Sequence, residues 1–317
     1  QAATGFEPTV GKNRRILGGV IDSDVPAIRF QNADGQVTAL FVSYGCHPVT
    51  LGPNNRLATA DYPGYVRRSL EAVYPGAATL FATGCCGQVN NGHTSRDGDK
   101  GQGMLWRTFG EAERIGRAVA GAAIQAVEQL SRWDTAAPVL DTLVVPASIR
   151  TARRVVQLPF LPAPAAEEIV ALRDRWRTEA VAVAKRDRKP GELERLEVFI
   201  AWADELLAGD TPTTVEAEVM TIGIGETVLV LLPGESFVEF GLEIKQRVAP
   251  HRVITLAYAN GRPGYIPHRS AYPAGGYEVD EAFRYYGYPS CFAPEAGELL
   301  VETAIDLVAQ LTATDGR

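Results

Sequence analysis

The spacing of apolar residues changes period several times along the chain. Residues 17–31 and 36–46 read as two strands about the turn Asn32-Ala33-Asp34-Gly35, the second rich in β-formers and closed by Gly45-Cys46-His47-Pro48. Asp61 followed by Pro63 then opens a helix running to about residue 74, because an aspartate can cap free N–H groups and proline fits a first turn. A short apolar run at 77–83 predicts a strand that stops at Gly84. Over 103–131, Ile115, Val119, Ala122, Ile124, Val127 and Leu130 recur at roughly helical spacing.

The rest of the chain continues the alternation. A strand is predicted at 139–149, then charged helices at 165–185 and 191–207, which make a helical hairpin insertion over 163–209. That hairpin reads either as a lid or as a solvated surface element. Strands at 214–224 and 227–232, a helix at 235–248, a strand at 253–258 and a terminal helix at 294–311 follow, with no internal repeat or low-complexity segment. The pattern predicts one α/β domain over 1–317, a mixed central sheet flanked by helices, with sites at strand ends.

Composition narrows the function classes. A chain of 317 residues, 46% hydrophobic and 22% charged, can build a sizeable core. Its net charge of −7, with basic residues scattered, offers no stripe for a phosphate backbone and argues against nucleic acid. No apolar run reaches the roughly 20 residues of a bilayer-spanning helix, and no charged-then-apolar leader opens the chain. A soluble protein is expected; the compartment stays open, with the cytoplasm slightly favoured. Four cysteines, two of them adjacent at Cys85 and Cys86, suit free thiols better than a disulfide scaffold.

Four strand ends stop abruptly in Gly, Pro and a side chain with chemistry: Gly45-Cys46-His47-Pro48, 84–93 with Asn90 and His93, Leu232-Pro233-Gly234-Glu235, and the loop from Tyr258 to Tyr265. In an α/β sheet such ends gather along one edge, so these side chains are expected to converge. His47 could ligate zinc through one ring nitrogen while the other is oriented by an acceptor, and Glu235 stands at a probable helix start, where a carboxylate is favoured by the dipole and free N–H groups. Taken singly, His47 also reads as a satisfied structural histidine, Glu235 as a helix-capping residue and Tyr265 as a packed aromatic. His93 and His268 could reach the same cleft and serve in acid–base work, or stand as exposed loop histidines. Cys46, Cys85 and Cys86 could approach a metal.

In order along the chain, Asn13-Arg14, Gly45-Cys46-His47-Pro48, Ala60-Asp61-Tyr62-Pro63-Gly64, Gly87-Gln88-Val89-Asn90, Pro233-Gly234-Glu235, and Tyr258-Ala259-Asn260 with Gly264-Tyr265 and Tyr277 resemble the catalytic domain of the neutral/alkaline, non-lysosomal ceramidases. The resemblance implies that family's fold and an amide hydrolysis in which a zinc ion activates water. It also implies His47, Glu235 and Tyr265 as zinc ligands, with Tyr277 and Arg14 beside the scissile carbonyl as oxyanion stabilisers. Three departures matter. The family's His-x-His motif, upstream of Asn-Arg, has no counterpart in this sequence, which implies either a shortened chain or, as the favoured reading, a separate or cleaved N-terminal chain as partner. Asn90 stands where ceramidases carry serine, so it can hydrogen-bond but not act as nucleophile or acid. No additional β-sandwich domain or bilayer-engaging segment follows.

These readings together predict a zinc-dependent amidohydrolase acting on a small soluble or N-acyl amide, as one chain of a cleaved or two-chain enzyme that could form a higher homo-oligomer. The rivals are a non-catalytic small-molecule or partner-binding protein on the same scaffold, and an ester or lactone hydrolase.

Overall fold

The computed structural model describes residues 1–52, 55–92, 106–130, 148–185, 191–209 and 211–313. Two four-stranded sheets pack face to face and carry helices on their outer faces. The first sheet contains β1 (Ala2–Phe6), β3 (Asp24–Gln31), β4 (Val37–Tyr44) and β5 (Ala78–Thr83), in the order β1-β3-β4-β5. Its β1/β3 and β3/β4 pairs are antiparallel and its β4/β5 pair is parallel. The second contains β7 (Ile149–Pro159), β8 (Thr214–Ile224), β9 (Thr227–Leu231) and β11 (Arg252–Leu256), in the order β11-β9-β8-β7. Here β7/β8 and β8/β9 are antiparallel and β9/β11 is parallel.

Strand sequences explain the layering, because alternate side chains leave opposite faces of a pleated strand. In β9, Val228 and Val230 enter one core while Leu229 and Leu231 enter the layer between the sheets. In β4, Leu40 and Val42 face the helices α1 (Asp61–Val73) and α2 (Phe109–Glu128), and Phe41 faces the opposite sheet. Tyr62, Val66 and Leu70 recur every four residues on α1 and are fully buried against Ile115, Val119 and Val127 of α2. On the other side, α5 (Val238–Arg247) and α6 (Pro294–Thr312) cover the second sheet through Phe240, Ile244, Leu300, Val301, Leu307 and Val308.

The mixed α/β layering expected from the sequence is present, with the strands divided between two sheets. Several boundaries differ. The strand expected at 17–31 begins at Asp24, and β1 was not anticipated; Pro26 and the brevity of β1 weaken the period-two signal there. The strand expected at 139–149 lies almost wholly outside the described residues, whereas β7, rich in arginine, reads as polar because one of its faces meets solvent. The helix expected from 235 starts at Val238. Gly234 takes φ +63°, and Glu235–Ser236 forms the short strand β10, parallel to β12 (Tyr265–Ile266).

The two charged helices appear as α3 (Ala166–Ala184) and α4 (Glu192–Ala208), inserted between the paired strands β7 and β8. They are not merely solvated: Trp176, Leu196, Phe199 and Trp202 make a core of their own, with Phe283 against it.

Candidate active site

Strand ends from both sheets meet at one place. The Ala257 N–H donates to Thr83 O at 2.9 Å and the Gly87 N–H to Ser236 O at 2.9 Å, so backbone bonds tie the two sheets together there. A Cβ at Gly84 would lie 3.2 Å from Gly45 Cα, and one at Gly87 only 2.4 Å from Glu235 O. Glycine is what lets these loops approach so closely.

His47, delivered by the end of β4, is 5% exposed, and Glu235, three residues beyond Leu232, is 6% exposed. The His47 Nδ1 lies 3.1 Å from the Val89 carbonyl oxygen, which fixes the ring orientation, and its Nε2 lies 2.9 Å from Glu235 Oε2. Val89 is held in turn by the two-stranded ladder of β2 (Lys12–Asn13) and β6 (Val89–Asn90). Around the pair stand three phenols. Tyr258 OH lies 3.0 Å from His47 Nε2 and donates to Glu235 Oε2 at 3.1 Å; Tyr265 OH lies 3.4 Å from Nε2; Tyr286 donates a short bond to Glu235 Oε1. Tyr258 holds φ +59°, an uncommon conformation for a bulky residue, with its N–H on Gly234 O at 2.9 Å.

Electrostatics sets the protonation of this cluster. Burial alone would raise the Glu235 pKa, but the hydrogen bond and charge of His47, with the Tyr286 and Tyr265 hydroxyls, outweigh it and hold the carboxyl at about 2. Burial pushes the Tyr258, Tyr265 and Tyr286 phenols well above their ordinary range, so they stay protonated donors. Tyr277 is pushed up to about 12, first by burial and then by Tyr285 and Glu235. Its ring meets Tyr265 edge-on at 5.6 Å, and the residue is 39% exposed.

Arg14 is already engaged. Its guanidinium bonds Glu278 Oε1 at 2.8 Å and the Gly87 carbonyl at 2.8 Å while lying 5.4 Å over the Tyr265 ring and 5.8 Å from that of Tyr277. Arg15 takes the other oxygen of Glu278 at 2.6 Å.

Thus His47, Glu235 and Tyr265, from three of the four strand ends, lie together, with Arg14 and Tyr277 beside them. Asn90 is buried in β6 next to this cluster, and its Oδ1 accepts from the Gly92 N–H at 2.9 Å. His268 is elsewhere: its Nδ1 lies 2.8 Å from Ser270 Oγ and its ring stacks edge-on with Phe240 at 5.6 Å, beside Glu243 and Glu298. Three residues after Tyr265 the chain has already turned away toward α5 and α6. His93 lies outside the described residues. All four cysteines are free and buried, and burial pushes Cys85 up to about 12 and Cys46 and Cys86 higher still.

Sequence reasoning did not single out Tyr258, Tyr286 or Glu278. The strand-end position of Tyr258 was a usable signal. Tyr286 and Glu278 had none, because a wide π-type turn at Tyr277–Glu281 and a 3₁₀ turn at Ala282–Tyr286 decide where they point. Among the described residues no three His, Cys, Asp or Glu side chains gather as a metal site. The donors present are one imidazole, one carboxylate and phenols.

No protein-family model and no curated protein matches this sequence. Two solved structures share its fold. The neutral ceramidase of Pseudomonas aeruginosa superposes with a TM-score of 0.61 at 18% identity, over 98% of this chain and 52% of that one. A ceramidase complexed with C2 superposes with a TM-score of 0.61 at 17% identity, over 99% of this chain and 53% of that one. The chain thus spans about half the length of these structures, and the fold implied by its motif order is the fold it has.

Proposed function

We propose that this chain is the main part of a zinc-dependent amide hydrolase acting on a small soluble or N-acyl substrate. The observation that carries the reading is the buried His47–Glu235 pair at 2.9 Å, ringed by tyrosine hydroxyls at the meeting point of both sheets. The Val89 carbonyl fixes the imidazole through Nδ1, so that Nε2 and a Glu235 carboxylate oxygen lie 2.9 Å apart and point to one place, where a cation could replace the proton they share. The donor set fits zinc chemically, with His47, Glu235 and Tyr265 as the residues that would hold it. Bound there, zinc would supply Lewis acidity toward a carbonyl and acidify a water molecule.

The chain's own residues would do the rest. Tyr277, a protonated and partly exposed phenol beside Tyr265, would donate to the oxygen on which negative charge develops. Arg14, tied to Glu278 and Gly87 O, keeps the Tyr265 and Tyr277 rings in place, a role closer to orientation than to direct oxyanion contact. Tyr258 and Tyr286 fix both oxygens of Glu235. Since one imidazole and one carboxylate make a thin set for a catalytic zinc, we place the remaining ligand on a separate or cleaved chain with a His-x-His motif.

Metal analysis of the complete, natively expressed protein tests this. About one zinc per chain is expected, with Glu235→Ala abolishing both zinc and hydrolysis of N-acyl amides. Less than about a tenth of an equivalent in the wild type, or full activity in Glu235→Ala, overturns the assignment and leaves a non-catalytic binding protein on this scaffold.

A further inference from the structure

Among the described residues, the helical hairpin α3–α4 meets the surroundings of the candidate site at the short segment 282–288. Arg284 is driven into an aromatic box on the hairpin: its guanidinium carbon lies 5.4 Å from the Trp176 ring centroid, 5.1 Å from Phe199, 5.1 Å from Trp202 and 4.6 Å from its own neighbour Phe283. Its Nε is buried without a hydrogen-bond partner, and one terminal nitrogen donates to the Asp280 carbonyl. The rings rather than an ion pair therefore hold this cation. Trp202 Nε1 donates to Tyr288 O at 2.7 Å, and Phe199 meets Tyr285 edge-on at 5.4 Å.

The same seven residues carry the side chain that orients Glu235. Tyr286 donates to Glu235 Oε1, so the other oxygen, Oε2, is the one turned to His47. Tyr285 lies 6.3 Å from Tyr277, continuing a line of rings from Phe199 to Tyr265. Packing between is tight: a cavity of about 10 Å³, roughly one water, is bounded by Tyr265, Glu278, Phe283 and Tyr286. Between Arg284 in its box and Tyr286 on Glu235 there is one residue of a 3₁₀ turn, too short to absorb movement.

We propose that the hairpin is a positioning device for the site: Arg284, locked by Trp176, Phe199 and Trp202, sets the register of the 3₁₀ turn and thereby holds Tyr286 on Glu235. Both are positioning residues, acting on the carboxylate rather than on substrate. The inference rests on the metal reading only for one of its two readouts.

The test compares Arg284→Ala, Tyr286→Phe and the double variant in the complete, natively expressed protein, with Arg177→Ala, whose arginine bonds Asp204 on the outer hairpin surface, as a control. Competition with a chromophoric chelator measures zinc affinity. Each single variant should weaken it about tenfold, the scale for losing a group that orients a ligand. In the Tyr286→Phe background Arg284→Ala should add less than about twofold, because the two act through one bond. The ¹⁵N signals of the His47 imidazole in zinc-free protein give the second readout: both single variants should shift the Nε2 signal and Arg177→Ala should not. If Arg284→Ala does not fold, Arg284→Lys, which keeps a cation but not the planar stack, takes its place with a smaller shift in the same direction. Multiplicative losses in the double variant, or an unmoved Nε2 signal in a folded Arg284 variant, overturn the proposal. A wild type that binds no zinc sinks the hydrolase reading alone, and the imidazole signal still decides this one.

Discussion

The two halves of the molecule repeat one topology and put it to different use. In the first, β1, β3 and β4 run as an antiparallel meander, α1 crosses over to the parallel strand β5, and α2 follows; in the second, β7, β8, β9, α5, β11 and α6 do the same. Even the helix contacts correspond: Gly116 of α2 sits against α1, and Gly297 of α6 sits against Phe240 of α5. No sequence repeat betrays this, because each layer needs only apolar residues at the right period. What differs is the loops. Among the described residues the first half gives the site His47 and Arg14, whereas the second gives Glu235, Tyr258, Tyr265, Tyr277 and Tyr286, most of them from the long segment between β11 and α6. The scaffold is shared; the chemistry is grafted onto one side.

Substitutions at the seam and at corresponding positions sharpen this comparison. The largest effect is expected at Glu278, 3% exposed, which joins Arg14 and Arg15 of the first half to the second. Glu278→Ala strands two largely buried guanidinium groups and should cost about 3–5 kcal/mol in urea unfolding; a loss below about 1 kcal/mol means the halves do not depend on that bridge. Next come the paired glycines. A Cβ at Gly116 meets Tyr65 Cβ at 2.4 Å and the Tyr62 carbonyl at 2.9 Å, backbone-bound atoms that cannot yield; at Gly297 it meets Phe240 Cζ at 2.1 Å, the far end of a side chain that can swing about its Cα–Cβ bond. Gly116→Ala should therefore lose about 2 kcal/mol and Gly297→Ala about 1, after the helix-propensity gain of alanine. Equal losses, read as denaturant midpoints, overturn the contrast drawn between their neighbours.

Smaller still is the second bridge across the seam, Lys245 of α5 with Asp22 at 2.6 Å and Asp24 at 2.8 Å. Lys245→Met should cost about 1 kcal/mol, since Asp24 is half exposed and screened. Burial lowers the Lys245 pKa, but the two aspartates raise it more, so the net shift is upward. Its contribution is then full below the ordinary lysine pKa of about 10.4 and fades as pH rises through the higher folded value. The stability gap between wild type and Lys245→Met should stay flat to about pH 10 and narrow above it; a gap that closes near neutrality contradicts the assignment. The outer ion pair of Arg153 with Glu218, where Arg153 is 73% exposed, should matter least, with Arg153→Ala within about 0.5 kcal/mol of wild type.

Most elements were legible because periodicity is a local property. The buried face of α1 and the doubly buried strands β4 and β9 could be read directly. The site was legible as far as its residues end strands: His47, Glu235 and the Tyr258–Tyr265 loop follow apolar runs that stop at glycine or proline. It was illegible where a side chain's direction depends on irregular turns, so His268 was expected in a cleft it faces away from, and Tyr286 was overlooked. The helical hairpin shows the same limit. Its charge pattern suggested a solvated face, yet Trp176, Phe199 and Trp202 bury themselves around Arg284 from a distant segment.

By itself the sequence determined the α/β class, the succession of helices and strands, and which strand ends carry chemistry, since hydrophobic period, capping residues and Gly-Pro stops act over a few residues. Tertiary structure alone decided that the strands form two sheets of one repeated topology and that His47 meets Glu235 where those sheets join. It also decided that Arg14 is spent on Glu278 and that a hairpin steadies Tyr286. Those outcomes are set by long-range burial and by pairings of residues far apart in the chain, for which no local pattern exists to be read.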